Sequence, residues 1–321
     1  MIKATALQLY RSMLRTRRVE EALACRYAEQ EMRCPMHLCI GQEAVAVGVS
    51  AALEPADMVF SNHRAHGHYL AKGGNLIAMI AEIYGLSGGC CGGRGGSMHL
   101  IDLDARFMGA TPIVGGTVPL AVGAAWAAAL RRTGQVVAVY FGDGCFEEGV
   151  LHESMNFATL HRLPVIFVCE NNQFSVYTKL ETRQPKRPIH EIARAHGLKA
   201  ESGDGNDVEA VQQLAATACA RARAGEGPQF LEFSVYRWRE HCGPNFDDDL
   251  GYRDAREVAA GQACCPLQAY QVVLRARGWA DGVDLAAWEA DTASEIAAAF
   301  GAALASAPPL AHSANQKVYA C

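Results

Sequence analysis

Two short segments of the chain are suited to chemistry, Gly142-Asp143-Gly144 and Glu170-Asn171-Asn172. Each closes an apolar run, Gln135 to Phe141 and Pro164 to Cys169, with little polar alternation, as a central parallel strand reads. Between them, Glu147 to Leu160 predicts a helix with Leu151, Met155 and Ala158 on one stripe. Strand, helix and strand make one crossover, whose right-handedness puts both segments on the same sheet edge. Open α/β sheets bind ligands at that edge, beyond the carboxyl ends of their strands. Gly142 and Gly144 permit close backbone approach. Asp143 and Asn172 offer hard oxygen donors of the kind magnesium takes. The amides of Gly144 and Cys145, at the expected helix start, suit phosphate oxygens. The arrangement describes a magnesium-bridged diphosphate. A bare triplet is weak evidence, since Gly203-Asp204-Gly205 recurs in the same chain. No asparagine pair follows that second triplet, and Asp207 reads as a helix N-cap.

The elements that must position these groups follow from periodicity. Residues 4–30 predict a helix with Leu7, Tyr10, Met13 and Leu14 on one face. A short strand, Asp57 to Ser61, leads into a histidine-rich loop, Asn62 to His68. A helix over Leu76 to Tyr84 precedes a glycine-dense loop, Gly85 to Gly96. Val118 to Arg131 reads as a buried helix. Ile189 to His196 and Val208 to Arg223 read as helices, and Gln229 to Tyr236 as a strand. Strand and helix alternate, so the expected fold is α/β, a doubly wound, mostly parallel sheet with helices on both faces. A single domain over 1–321 is expected, with a helical tail over about 265–321.

Composition excludes several classes. The 321 residues are 50% hydrophobic, too apolar for a disordered chain. The net charge is −5 and no basic run stands out, which argues against a nucleic-acid partner. The longest weakly polar stretch, Val118 to Leu130, is shorter than the roughly 20 residues a membrane span needs. Met1 to Gln30 lacks the apolar core of a secretory signal. Twelve cysteines form no CxxC pair, and the doublets Cys90-Cys91 and Cys264-Cys265 lack partners at zinc spacing. Reduced, mostly buried thiols in a cytoplasmic protein are the expectation.

GDG followed by NN at this spacing resembles the thiamine diphosphate motif. The fuller resemblance is to the alpha subunit of the decarboxylating component of 2-oxo acid dehydrogenase complexes, the group that holds the pyruvate and acetoin dehydrogenases. It is carried by MHLCIGQEAVAVG (Met36–Gly48), HRAHGHYLAKGG (His63–Gly74), GGRGGSMH (Gly92–His99), IVGGTVPLAVGAA (Ile113–Ala125), FGDGCFEEGVLHESMNFA (Phe141–Ala158) and LPVIFVCENN (Leu163–Asn172). YRWREHCGP (Tyr236–Pro244) adds a looser match. The resemblance covers nearly the whole chain.

By position, the resemblance implies that Asp143, Asn172 and the backbone carbonyl of Phe174 bind magnesium. Gly144 and Cys145 would hold the diphosphate together with Arg64 and with His63, where many members have tyrosine. Val114 would wedge the cofactor into its bent form, and the backbone of Pro112 would face the aminopyrimidine. His241 matches the active-site histidine of the loop after a strand. That loop, Arg237 to Gly251, is expected to be mobile and solvated until partner or cofactor orders it, and its imidazole to shuttle protons or stabilise charge near neutrality. His66, His68 and His99 are read as positioning residues. Cys242 lies in the looser match, where the serine that some members phosphorylate is missing. The activity implied is decarboxylation of a 2-oxo acid, with pyruvate foremost, and transfer of the acyl unit to a lipoyl-bearing acyltransferase. The implied partner is a beta subunit that supplies a glutamate, in an assembly of two alpha and two beta chains. An acetoin dehydrogenase alpha subunit and a transketolase-like subunit are the alternatives, and a non-catalytic assembly subunit is a weaker one.

Overall fold

In the computed structural model the β-branched runs pair side by side, and the structure describes residues 1–311. The strands of the main sheet are β1 (Met58–Ser61), β2 (Phe107–Ala110), β3 (Val137–Gly142), β4 (Val165–Asn171), β7 (Lys199–Asp204) and β8 (Gln229–Ser234). They lie in the order β2-β1-β3-β4-β8-β7, and every pairing is parallel. Two further short strands, β5 (Phe174–Ser175) and β6 (Thr178–Lys179), form a separate antiparallel hairpin. From β1 the chain passes to one neighbour, β2, and then back to the other, β3, so strand order reverses around β1. A crevice opens at such a switch point, at the carboxyl ends of the strands. The β3–β4 register sets Gly142 level with Glu170, so Asp143 and Asn172 follow strand ends on the same edge.

Side chains alternate between two buried layers, as strand geometry requires. Ala138, Tyr140, Ile166, Val168, Leu231 and Phe233 point to one layer. That layer is closed by α1 (Lys3–Arg26), α4 (Leu76–Ile83), α9 (Val208–Arg223) and α12 (Leu285–Leu304). Val137, Val139, Phe141, Val165, Phe167 and Phe230 point the other way. Residues of α5 (Val118–Arg131), α6 (Gly149–Leu160) and α8 (Ile189–Ala195) pack there. A smaller cluster joins α1 to α2 (Glu43–Ser50) and α11 (Pro266–Ala276). Asp207 caps α9, accepting from the amides of Glu209 and Ala210.

Several expectations change. The N-terminal helix stops at Arg26 and ends in a 3-10 turn, Tyr27–Glu29, short of residue 30. α5 is not fully buried. Val118, Ala121, Val122, Ala125 and Ala128 form an inward stripe, while Leu120, Trp126 and Leu130 face outward. Alanines on both sides hid this amphipathicity from the periodicity argument. The histidine-rich segment is not loop throughout, because α3 (His66–Ala71) begins inside it. A 3-10 turn, Asp143–Glu147, precedes α6, and extended backbone at Glu148 separates the two. The Gly144 and Cys145 amides therefore belong to that turn and not to the first turn of α6. β2 and β7 were not expected; they are the sheet's edge strands, short or polar. The remaining helices are α7 (Leu180–Arg183) and α10 (Ala255–Ala263). The tail is helical over α11 and α12, and residues 312–321 of the expected tail lie outside the described residues.

Candidate active site

One cavity lies at the carboxyl edge of the sheet, around the switch point. Four strand ends build its wall. Asn62, His63 and Arg64 follow β1, and Pro112, Val114 and Gly115 follow β2. Gly142 to Cys145 close β3, and Glu170, Asn172 and Phe174 close β4. His241, from the segment after β8, completes it. Every residue singled out from the sequence for the cofactor, the metal or catalysis thus lines this one space: His63, Arg64, Pro112, Val114, Asp143, Gly144, Cys145, Asn172, Phe174 and His241.

The acidic end is built around Asp143, which is 1% exposed. Burial pushes its carboxyl above the ordinary carboxylate range, and the Arg183 guanidinium opposes that shift. Arg183 pairs with Asp143 Oδ2 through one Nη and with Glu147 Oε1 through the other. Gln184 Nε2 donates to the Asp143 carbonyl at 3.1 Å and to Glu147 at 2.9 Å. The Asn172 side-chain oxygen accepts from the Phe174 amide at 3.0 Å, which folds the chain back against the cavity. Gln173 and Val176 have φ of 67° and 54° in this turn, a conformation seldom adopted by residues other than glycine. Strain of this kind persists where the surroundings over-determine the backbone. Asp143, Asn172 and Phe174 all line the cavity, and a carboxylate, an amide and a backbone carbonyl would make an all-oxygen donor set of the type a hard divalent cation takes.

The cavity lining also has a cationic part. Arg64 is 5% exposed, donates to the carbonyl of Leu38 and reaches that of His241 at 3.3 Å. Among the described residues no carboxylate lies within ion-pair distance of it. Burial and the nearby Arg237 lower its pKa to about 10. A buried guanidinium held only by carbonyls is a ready partner for an anion. Beside it, the rings of His37, His63 and His241 sit 4.7 to 5.3 Å apart. His37 Nδ1 is buried without a hydrogen-bond partner. Burial, aided by Arg64, lowers the pKa of His37 to about 2, of His63 to about 3 and of His241 to about 4. All three rings are therefore neutral near pH 7. This corrects the expectation for His241: burial and two guanidiniums remove it from titration near neutrality.

The segment around His241 is also less loose than expected. Arg237 and Asp247 are buried, Arg237 donates to Tyr252 Oη at 2.6 Å, and Arg253 pairs with Asp247. The Gly243 amide donates to Met36 at 2.7 Å. An acidic run that looked solvated in sequence supplies the counter-charge for two buried arginines.

Further groups at the site were missed from sequence. His37 and Gln42 lie in the Met36–Gly48 stretch but carry no distinguishing spacing. Glu170 lines the cavity and meets His68 Nε2 at 3.2 Å, whose Nδ1 lies 2.8 Å from Ser61 Oγ. His66 bridges Glu20 and Ser97 at 2.5 and 2.7 Å. His66 and His68 are thus held inside buried networks. Arg183 reaches Asp143 only through the β5–β6 hairpin, and no sequence signal marks it.

Comparison with known proteins identifies the family. The family described as dehydrogenase E1 component matches residues 11–311. The chain is 43% identical over 232 residues to the alpha subunit of acetoin:2,6-dichlorophenolindophenol oxidoreductase of Bacillus subtilis, covering 72% of this chain and 70% of that protein. It is 41% identical over 253 residues to the pyruvate dehydrogenase E1 component subunit alpha of Zymomonas mobilis, covering 78% and 71%. It is 39% identical over 269 residues to the acetoin oxidoreductase alpha subunit of Cupriavidus necator, covering 83% and 80%. With a match that spans most of its length and relatives at these identities, the chain belongs to the dehydrogenase E1 component family.

Proposed function

We propose that this chain is the alpha subunit of a thiamine diphosphate-dependent 2-oxo acid dehydrogenase that decarboxylates pyruvate and passes the acyl unit to a lipoyl acceptor. The observation that carries the reading is one cavity with a hard-oxygen wall at Asp143, Asn172 and Phe174 and a buried, carboxylate-free Arg64 beside it. Magnesium would be held by Asp143, Asn172 and the Phe174 carbonyl. The diphosphate would meet the amides of Gly144 and Cys145, Arg64 and His63. Val114, an exposed valine on the cavity wall, would pack under the cofactor, with the Pro112 backbone facing its aminopyrimidine ring. Thiamine diphosphate, when bound, supplies the nucleophilic carbon that allows a 2-oxo acid to lose carbon dioxide. His241, neutral and without a ring hydrogen bond, offers one N–H donor and one acceptor nitrogen to a bound group.

The proposed assembly is two alpha and two beta chains, with the beta subunit supplying the glutamate that activates the cofactor. Ile113 and Val114 at the cavity mouth, with Leu120 and Leu130 of α5, leave apolar surface uncovered, which favours a partner subunit. No helix among the described residues is long and apolar enough to cross a membrane. The described cysteines are free thiols, in keeping with a reducing cytoplasm.

Acetoin cleavage is the second reading, favoured by His63 at the position where many members have tyrosine and by the acetoin-linked relatives. The deciding experiment co-expresses the chain with the beta subunit and assays pyruvate, longer 2-oxo acids, acetoin and a ketose. Carbon dioxide from pyruvate with acyl transfer to a lipoyl domain supports the first reading. Acetaldehyde from acetoin alone replaces it with the second, and no turnover of any substrate overturns both.

A further inference from the structure

We infer that Cys90 and Cys91 form an oxidisable vicinal dithiol, a site of reversible disulfide modification separate from the cofactor cavity. The glycine-dense loop after α4 is wound around the buried carboxylate of Glu82. Glu82 Oε2 accepts from the amides of Cys91 at 2.7 Å and Gly93 at 2.9 Å. Oε1 accepts from those of Gly95 at 2.6 Å and Gly96 at 3.2 Å. This holds the doublet with both thiols half-buried, within reach of small solutes. The two sulfurs and a Glu82 oxygen all lie within 4.8 Å of one another. Such a trio could suggest a metal site. The Glu82 carboxylate, however, already accepts four N–H groups and has no lone pair left for an ion. What remains is a pair of thiols.

The pair is chemically asymmetric. Cys91 Sγ donates to the His99 carbonyl at 2.9 Å and lies beside the Cys90 thiol. The hydrogen bond from Cys90 pulls the Cys91 thiol below its ordinary value, while that of Cys90 is pushed up. Cys91 is thus the attacking sulfur and Cys90 the resolving one. With hydrogen peroxide, the Cys91 thiolate attacks one oxygen, the O–O bond breaks, and a sulfenic acid and water result. The Cys90 sulfur then attacks that of Cys91, the S–O bond breaks and a second water leaves. Two thiols and one peroxide give one disulfide and two waters, the sulfurs losing two electrons and the peroxide gaining them. Adjacent Cα atoms lie about 3.8 Å apart across a trans peptide, below the usual disulfide span of roughly 4.4–6.8 Å, so the ring is strained and readily reduced. Gly92 and Gly93, at φ of 70° and 74°, let the backbone adjust beside it. Labile disulfides of this type are the regulatory ones in a reducing compartment.

The loop has a route to the active site. Ser97 Oγ meets His66, His66 meets Glu20, and Glu20 accepts from the Cys39 amide at 2.5 Å, next to Leu38, the residue that holds Arg64.

The test treats the full chain with graded hydrogen peroxide, alkylates remaining thiols and maps peptides by mass spectrometry. The peptide that contains Cys90 and Cys91 is expected to lose two hydrogen atoms and both alkyl groups, and to recover both thiols with dithiothreitol. Cys90→Ser is expected to convert this reversible product into irreversible sulfinic acid on Cys91. Because that variant could fail to fold, the wild-type mapping decides by itself. The inference is overturned if both thiols stay alkylatable at peroxide levels that consume the exposed Cys264. It is equally overturned if Cys91 is found cross-linked to another cysteine.

Discussion

Arg183 and Asp143 form an ion pair on the wall of the cavity, and the same guanidinium extends to Glu147. A residue of the short helix α7 therefore holds two carboxylates of the β3 turn apart and orients the one assigned to the metal. Arg183→Gln leaves the buried Asp143 carboxylate, and the exposed Glu147 next to it, with one countercharge fewer. Removing one partner of a buried pair costs about 3–5 kcal/mol, so the urea midpoint should fall clearly. Unchanged stability and unchanged magnesium affinity in the variant would remove Arg183 from the site.

Asp143→Ala should abolish metal-dependent binding of thiamine diphosphate, because its carboxylate is the charged oxygen donor on that wall. Calorimetry on the alpha–beta assembly, with and without magnesium, measures this. Binding as tight as in the wild type would show that the metal lies elsewhere.

His241→Ala should slow acyl transfer by about 10²–10³-fold, the usual cost of losing one preorganised hydrogen-bond donor. Magnesium affinity should hardly move, since His241 is not among the residues assigned to the metal. Single-turnover rates and cofactor titrations on the reconstituted variant separate the two effects. Rates within a few-fold of wild type would make His241 a bystander.

The three neutral imidazoles set an acid limit. Their pKa values of about 2, 3 and 4 in the folded chain lie below the unfolded histidine value of about 6.5. The unfolded state therefore binds more protons between these limits. This contribution to stability is complete above the unfolded pKa and is lost as pH falls from about 6.5 toward about 2. Urea midpoints should drop steadily across this window, and a His37→Asn, His63→Asn double variant should show a shallower drop. A variant curve parallel to wild type would contradict the assignment.

The purified chain alone should turn over no 2-oxo acid, with activity appearing on addition of the beta subunit. Steady-state carbon dioxide release from the two preparations tests this. Turnover by the chain alone would place the activating glutamate within it.

Much of this site was legible in sequence because its principal parts are local. A strand ending in Gly142-Asp143-Gly144 and another ending in Glu170-Asn171-Asn172 are each written in consecutive residues. Parallel pairing then sets them side by side, with Gly142 level with Glu170. Asp143 and Asn172 follow from that rule alone, and Arg64 and His241 from positions within recognisable stretches. Periodicity failed where composition blurred it, as with the alanines of α5, or where edge strands carry little apolar signal, as with β7. Tertiary structure alone decided how the charges are shared. Arg183 meets Asp143 across 40 positions of chain, and Arg64 meets His241 across 177. No local pattern encodes such contacts, since they depend on how loops from different strands converge on one crevice. The protonation of His241 was decided in the same way. Its type and place were readable, but the burial and the two guanidiniums that keep it neutral exist only in the folded chain.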